Sequence, residues 1–442
     1  MESLETVPDG LETSASADLS APALPFRANF SWTLIGMLTY AACQWGMLAA
    51  MARLGSPRMV GQFALGLAIS GPVMLLANME LRFIAATDAR REFRVRDYVG
   101  LRIITTIVAI FAIVVIAVAM NDRQGTAQAI IGLGLFKAVE SQSDLLYGLF
   151  QQRGRNDFMG RSLMLRGPLS LAALAGGVVL TGTLSWGIGA MTVAGLGVLL
   201  LHDFPRGAQL LRSRKEDALR PGWDTRMLWR LALLSAPLGA VTMLFSLNTN
   251  LPSLLLQQKG GIAAVGIFAT LVSLMTAGHV LINALGHSLS AELAARFAAV
   301  DVRGFRSAVL RLALAAGVVG ASGCLVGTVW GAPILRLLFG SEYAREAPVL
   351  RWIMMAGAAA YLASSLSYAM IASRRLRIQP LILLSGIAVT FGLGLLLIPR
   401  LGLAGAALAM LGSSLVQLVA NAAVVGQVLH RLSAAAEPGV VV

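Results

Sequence analysis

GLFKAVESQSDLLYG, residues 134–148, carries Lys137, Glu140 and Asp144 in the middle of a stretch that is otherwise apolar from 126 to 150. About 20 apolar residues in a helix cross roughly 30 Å of hydrocarbon. Read as a membrane span, the stretch puts three charges inside a bilayer, where each costs at least about 2.5–3.5 kcal/mol on insertion scales. Such side chains have to face protein or water, and this reading requires a helical bundle with a polar interior.

The rest of the chain supports the reading. The sequence is 57% hydrophobic and 13% charged, with mean hydropathy +0.75; soluble domains are about 45–50% apolar. Twelve apolar stretches appear, at about 30–52, 60–83, 98–120, 126–150, 162–181, 185–204, 228–250, 261–286, 306–330, 347–371, 377–398 and 402–428. Each span has to satisfy its own backbone hydrogen bonds, which makes helices the default, and the alternation of an outer-membrane barrel is absent. The expected fold is all-α, a polytopic membrane protein of about 12 transmembrane helices. Residues 1–27 are polar and acidic (Glu2, Glu5, Asp9, Glu12, Asp18) and read as a disordered tail without the basic start of a signal peptide. Cys43 and Cys324 fall in separate spans and the four histidines are scattered, so no disulfide framework or metal motif is expected.

The net charge of +13 is distributed by topology. With the N-terminus cytoplasmic, 25 of the 35 Lys and Arg fall in cytoplasmic segments, 8 outside and 2 within spans. The positive-inside rule then puts both termini in the cytoplasm. The charge reflects headgroup contact and does not point to nucleic acid. The longest loop, a basic linker at 205–227, separates a six-helix half at 28–204 from a second at 228–430, with a cytoplasmic tail at 431–442. The halves carry a faint repeat. GSPRMVGQFALGLAI (55–69) and GGIAAVGIFATLVSL (260–274) share Gly55/Gly260, Val60/Val265, Gly61/Gly266, Phe63/Phe268 and Ala64/Ala269 at an offset of 205. An even number of spans per half makes such repeats parallel, related by an axis along the membrane normal.

Five motifs carry a family resemblance. They are NFSWTLIG (29–36), GSPRMVGQFALGLAISGPV (55–73), LRFIAATD (81–88), KAVESQSDLLYGLFQQRGR with SLMLRG (137–155 and 162–167), and LFGSEYAREAPVLRWIMMAG (338–357). In this order over twelve spans the chain resembles the polysaccharide-exporting (Wzx-type) flippases of the multidrug/oligosaccharidyl-lipid/polysaccharide (MOP) superfamily. The resemblance implies a V-shaped bundle of two six-helix halves around a central hydrophilic cavity, working by alternating access and catalysing no covalent chemistry. The implied cargo is a polyprenyl-diphosphate-linked oligosaccharide, moved across the bacterial inner membrane for exopolysaccharide, capsule or O-antigen export. Implied partners are that cargo, membrane lipids, and a polysaccharide polymerase and glycosyltransferases. No cofactor is implied beyond coupling to H+ or Na+, which is proposed for some members. A cation-coupled multidrug exporter or a lipid II flippase of the same superfamily is the nearest alternative. A membrane-embedded polymerase or ligase, from another class, wants a larger external loop than the one at about 331–346.

Lys137, Glu140 and Asp144 follow i, i+3, i+7 spacing and share one helical face. Two expectations coexist. The charges pair, Lys137 with Glu140 and Asp144 with Arg82 or Arg102, and fix helix registry; or the stripe lines the transport cavity, with Lys137, Arg82 and Arg102 attracting a diphosphate and Glu140 or Asp144 coupling an ion. In the second half, Asn248 and Asn250, and His279, Asn283 and His287 at i, i+4, i+8, are further candidates for the cavity wall. Arg53, Arg311 and Arg336 are expected to snorkel from span ends, and Trp32, Tyr40, Gln44 and Trp45 of span one to offer sugar-stacking surfaces or ordinary packing.

Overall fold

A computed structural model describes residues 24–88, 92–120, 125–212 and 219–436. The acidic residues of the N-terminal tail lie outside the described residues. Every regular element among the described residues is a helix. The first half comprises α1 (Phe26–Leu54), α2 (Pro57–Asn78), α3 (Leu81–Thr87), α4 (Val95–Ala119), α5 (Thr126–Gln152), α6 (Asn156–Thr181), α7 (Leu184–Val198) and α8 (Phe204–Arg212). The second comprises α9 (Thr225–Ala298), α10 (Val302–Val329), α11 (Gly331–Leu338), α12 (Ser341–Ala344), α13 (Ala347–Ala372), α14 (Gln379–Leu401) and α15 (Leu403–Ala436).

The helix ends follow local chemistry. Ser56 accepts from the Met59 N–H and Pro57 opens α2, a favourable start because proline lacks an N–H there. Asp224 and Asp301 cap α9 and α10 in the same way. Gly182, at φ 69°, ends α6 in the left-handed conformation.

Among the described residues ten helices are long and apolar enough to cross a membrane, with the 74 residues of α9 taken as one and α5 left out. At 1.5 Å per residue α9 would run about 110 Å if straight, several membrane thicknesses. It breaks at Gly261 (φ 75°, ψ 176°). Dividing it there, and adding the 27-residue α5 with its charged stripe, gives the twelve crossings expected from the sequence. Some boundaries shift. The linker expected from 205 begins as helix, because span six continues through a π-helical turn at Leu199–Asp203 into α8. The tail expected from 431 is helical to Ala436, and the loop at 331–346 folds into α11 and α12.

The break at Gly261 falls where the repeat puts it, since 205 residues earlier stands Ser56, between α1 and α2. No neighbouring atom crowds a Cβ built on Gly261, so only its backbone demands glycine. That φ/ψ combination is essentially closed to other residues and costs of order 1–3 kcal/mol. Gly261→Ala is accordingly expected to destabilise by that amount, read as a lowered Tm of the purified protein; an unchanged Tm would contradict it.

The helices form two lobes. In the first, α1 packs on α6, α6 on α7, and α5 on α2, α4 and α7; in the second, α13 packs on α10, α15 and α9, and α14 on α15 and α9. The lobes meet chiefly along α2 and α9. One buried cluster crosses this seam, joining Leu65 and Ile69 of α2 to Val265, Phe268 and Leu271 of α9 and to Leu335 and Phe339. At its centre the packing is reciprocal. A Cβ on Gly61 would run into the Ile262 carbonyl oxygen, and one on Gly266 into the Pro57 carbonyl oxygen. At the offset of 205, Ile262 is the equivalent of Pro57 and Gly266 of Gly61, so this is one contact made twice about a local two-fold axis. The symmetry is broken nearer the termini. Gly239 fits against Leu76 and Met79, whereas Leu34 and Leu281, the equivalents of Gly239 and Leu76, are 39% and 49% exposed.

Candidate functional site

The charged stripe of α5 gathers the polar core of the first lobe. The chain reaches it by an unusual turn: Met79 and Glu80 hold left-handed backbone conformations (φ 50° and 51°) between α2 and α3. Such conformations are costly for residues with side chains, and here they re-aim the chain so that Arg82, on α3, meets α5. Gly148 lets the two backbones approach, since a Cβ there would sit 2.7 Å from the Arg82 carbonyl oxygen.

Asp144 receives two guanidinium groups. Arg82 Nη1 donates to Asp144 Oδ1 at 3.2 Å, and Arg102 Nη2 lies 3.6 Å from Asp144 Oδ2. Arg82 also donates to Gln151 Oε1 at 3.2 Å and stands over the Tyr147 ring. Arg102, from α4, is completely buried. Its Nη1 donates to Ser141 Oγ at 2.9 Å and to Asn78 Oδ1, while Ser141 donates to Asn78 at 2.5 Å. One turn along the stripe, Lys137 Nζ donates to Glu140 Oε2 at 2.7 Å, and the Tyr40 hydroxyl of α1 donates to Glu140 Oε1. Both expected pairings are therefore present in the geometry. Lys137, Glu140, Arg82 and Asp144 nevertheless stay 21–30% exposed.

Arg166, near the start of the apolar stretch at 162–181, is buried inside α6, 1% exposed. It pairs with the fully buried Asp203 at 3.2 Å and donates to Ser143 of α5. Asp203 sits in the π-helical turn, and His202 Nδ1 lies 3.0 Å from its other oxygen. Local sequence could not have found this pair, because its members are 37 residues apart on different helices. Tyr40, half-buried in α1, donates its hydroxyl hydrogen bond to Glu140.

The candidates of the second lobe form a separate group. His279 and His287 lie against Tyr361 and Tyr368 of α13, with ring centroids 6.2 and 5.5 Å apart. Tyr368 donates to Asn283 Oδ1 at 3.4 Å, and Gly278 and Gly286 make room for the two tyrosine rings. His279 and Asn283 are half-buried against α13, while His287 stays exposed. Asn248 accepts from Ser413 Oγ at 3.3 Å, and Asn250 donates to the Ser246 carbonyl of its own helix at 2.8 Å.

No family model matches the sequence. The chain is 21% identical over 393 residues to the capsular polysaccharide biosynthesis protein CapF of Staphylococcus aureus, covering 88% of this chain and 97% of that one. Among solved structures it is similar to an inward-facing multidrug resistance MATE family transporter of the MOP superfamily, at 12% identity and TM-score 0.66, over 96% of this chain and 98% of the other. It is also similar to a MOP superfamily transporter from Pyrococcus furiosus, described as having a binding pocket of reversed polarity, at 15% identity and TM-score 0.61, over 91% and 95% of the two chains. The all-helical two-lobed bundle has the fold of these transporters, and over nearly its full length the chain is similar to a polysaccharide biosynthesis protein.

Proposed function

We propose that this protein is a flippase that moves polyprenyl-diphosphate-linked oligosaccharide repeat units across the bacterial inner membrane, with both termini cytoplasmic. The observation that carries the reading is the cluster of Arg82, Arg102 and Lys137 around Asp144 and Glu140, in which every side chain but the buried Arg102 stays partly exposed. Guanidinium groups match phosphate oxygens in a planar, two-pronged geometry. At rest every cation has a carboxylate partner, Asp144 being shared by both arginines, which keeps the lobe tolerable in a bilayer. A diphosphate competes for those cations and takes the place of the carboxylates. Protonation of a displaced Asp144 or Glu140 is where coupling to H+ enters this scheme; coupling to Na+ would place the ion on the same carboxylates. The 25-to-8 distribution of basic residues supports the orientation.

The nearest rival is a cation-coupled exporter of drugs. A cationic drug needs free carboxylates, and here both acids of the stripe already hold basic partners. The test is complementation of a flippase-null strain with surface polysaccharide as the readout. The wild-type chain is expected to restore export with a suitable repeat unit, and Lys137→Ala to reduce it at least tenfold at unchanged membrane level. Failure of the inserted wild-type protein with every repeat unit tried would sink the flippase reading.

A further inference from the structure

The two-fold seam runs on to the end of the molecule away from the termini. There Arg53, in the last turn of α1, reaches across the lobe boundary to the end of α11. Its Nε donates to the Leu338 carbonyl at 3.1 Å, and its Nη2 to the Arg336 carbonyl at 3.2 Å and to the Leu337 carbonyl. The last carbonyls of a helix have no partners within it and carry the negative end of its dipole, so a guanidinium there is a C-terminal cap supplied from another element. Beneath it Trp45 of α1 meets Phe339 edge-on at 5.9 Å, and Phe339 stacks on Tyr343 at the same separation. The glycine crossing of α2 and α9 lies alongside.

These contacts differ in kind. The glycine crossing is backbone against backbone along two long helices, and it is symmetric about the local axis. The Arg53 cap has no symmetric copy: the residue 205 places on is Gln258. It joins a long span to the eight-residue α11 through exposed hydrogen bonds, which can break without unpacking a core. A lobe-to-lobe movement that opens this end has to strip Arg53 from α11.

We propose that Arg53 is a latch: its capping of α11 holds the distal ends of the lobes together, and its release permits the distal end to open. The inference needs only that the lobes move, whatever the cargo. Cys43 and Cys324, the two native cysteines, are replaced by alanine for the test, and spin labels are placed at Leu54 and Leu337. Both positions are exposed, one at the distal end of each lobe. A second pair, at Ser31 and Ser288, reports the end near the termini.

In lipid nanodiscs, the parent protein is expected to show mainly the short distal distance. Arg53→Ala is expected to raise the population of longer distal distances at least threefold and to shorten the Ser31–Ser288 distances. Arg53→Lys, which keeps the charge but loses the fork of donors, is expected to fall between. Distal lengthening without change at the terminal pair would mean only that α11 frays, and would overturn the latch. So would unchanged distributions in Arg53→Ala. If Arg53→Ala does not insert, Arg53→Lys is read by the same criteria.

Discussion

Asp144→Ala is expected to abolish export and to lower the stability of the first lobe by about 3 kcal/mol, the lower part of the range for removing one partner of a buried ion pair. The size follows from Arg102. That guanidinium is fully buried in α4, and Asp144 is the carboxylate it pairs with. Asn78 and Ser141 satisfy only Nη1. With Asp144 gone, the buried Arg102 loses its paired carboxylate and keeps only Glu80 nearby as a counter-charge, and Arg82 loses its salt-bridge partner as well. Asp144→Asn removes the charge but keeps the side chain's shape and an acceptor. It is expected to hurt export as strongly while destabilising less. Thermal unfolding of the purified variants and surface polysaccharide in a null strain are the two readouts. If Asp144→Ala melted with the wild type, Arg102 would have to find another counter-charge.

Gly61→Val and Gly266→Val should be the most damaging apolar substitutions in the chain. Overpacking commonly costs about 1–3 kcal/mol because side chains can move aside. At these two positions the obstructing atoms are backbone carbonyls of the facing helix, so the helices themselves have to part. A loss of at least about 3 kcal/mol is expected for each, at or above the top of that range, with the double variant less than additive because both open one seam. Gly176 and Gly189, whose added Cβ would meet nothing, are the controls. Alanine at either is expected to leave Tm unchanged or raise it, since alanine favours a helix by up to about 1 kcal/mol over glycine. Equal tolerance at all four positions would mean that the lobes do not meet at residues 61 and 266.

The sequence revealed different parts of this molecule unequally. Spans were legible because hydrocarbon thickness sets their length, and the stripe at 137, 140 and 144 because helical spacing is local. The weak five-residue repeat carried more than it first promised, since its offset marks both the break at Gly261 and the two glycines that meet at the seam. Partner choice was harder. Arg166 reads only as one more basic residue of the cytoplasmic side until the rotation of α6 turns it toward Asp203, and Arg53 reads as a snorkelling residue until α11 ends beside it. The histidine face in α9 was correctly periodic, but periodicity could not say whether it meets a cavity or the tyrosines of α13. Inside a bilayer these pairings depend on how each helix is rotated about its axis, which no single helix encodes.

The doubled glycine contact also has an evolutionary consequence. A surface in which residue 57 meets residue 266 and residue 61 meets residue 262 is what a single six-helix chain would use to bind a second copy of itself, both inserted in the same orientation. In such a homodimer every substitution at the crossing strikes twice, and the pair cannot evolve one-sided features. Joining the copies into one chain lifts that restriction. Arg53 and the charged stripe of α5 are then differences that fusion allowed, while the crossing retains the geometry of the unfused pair.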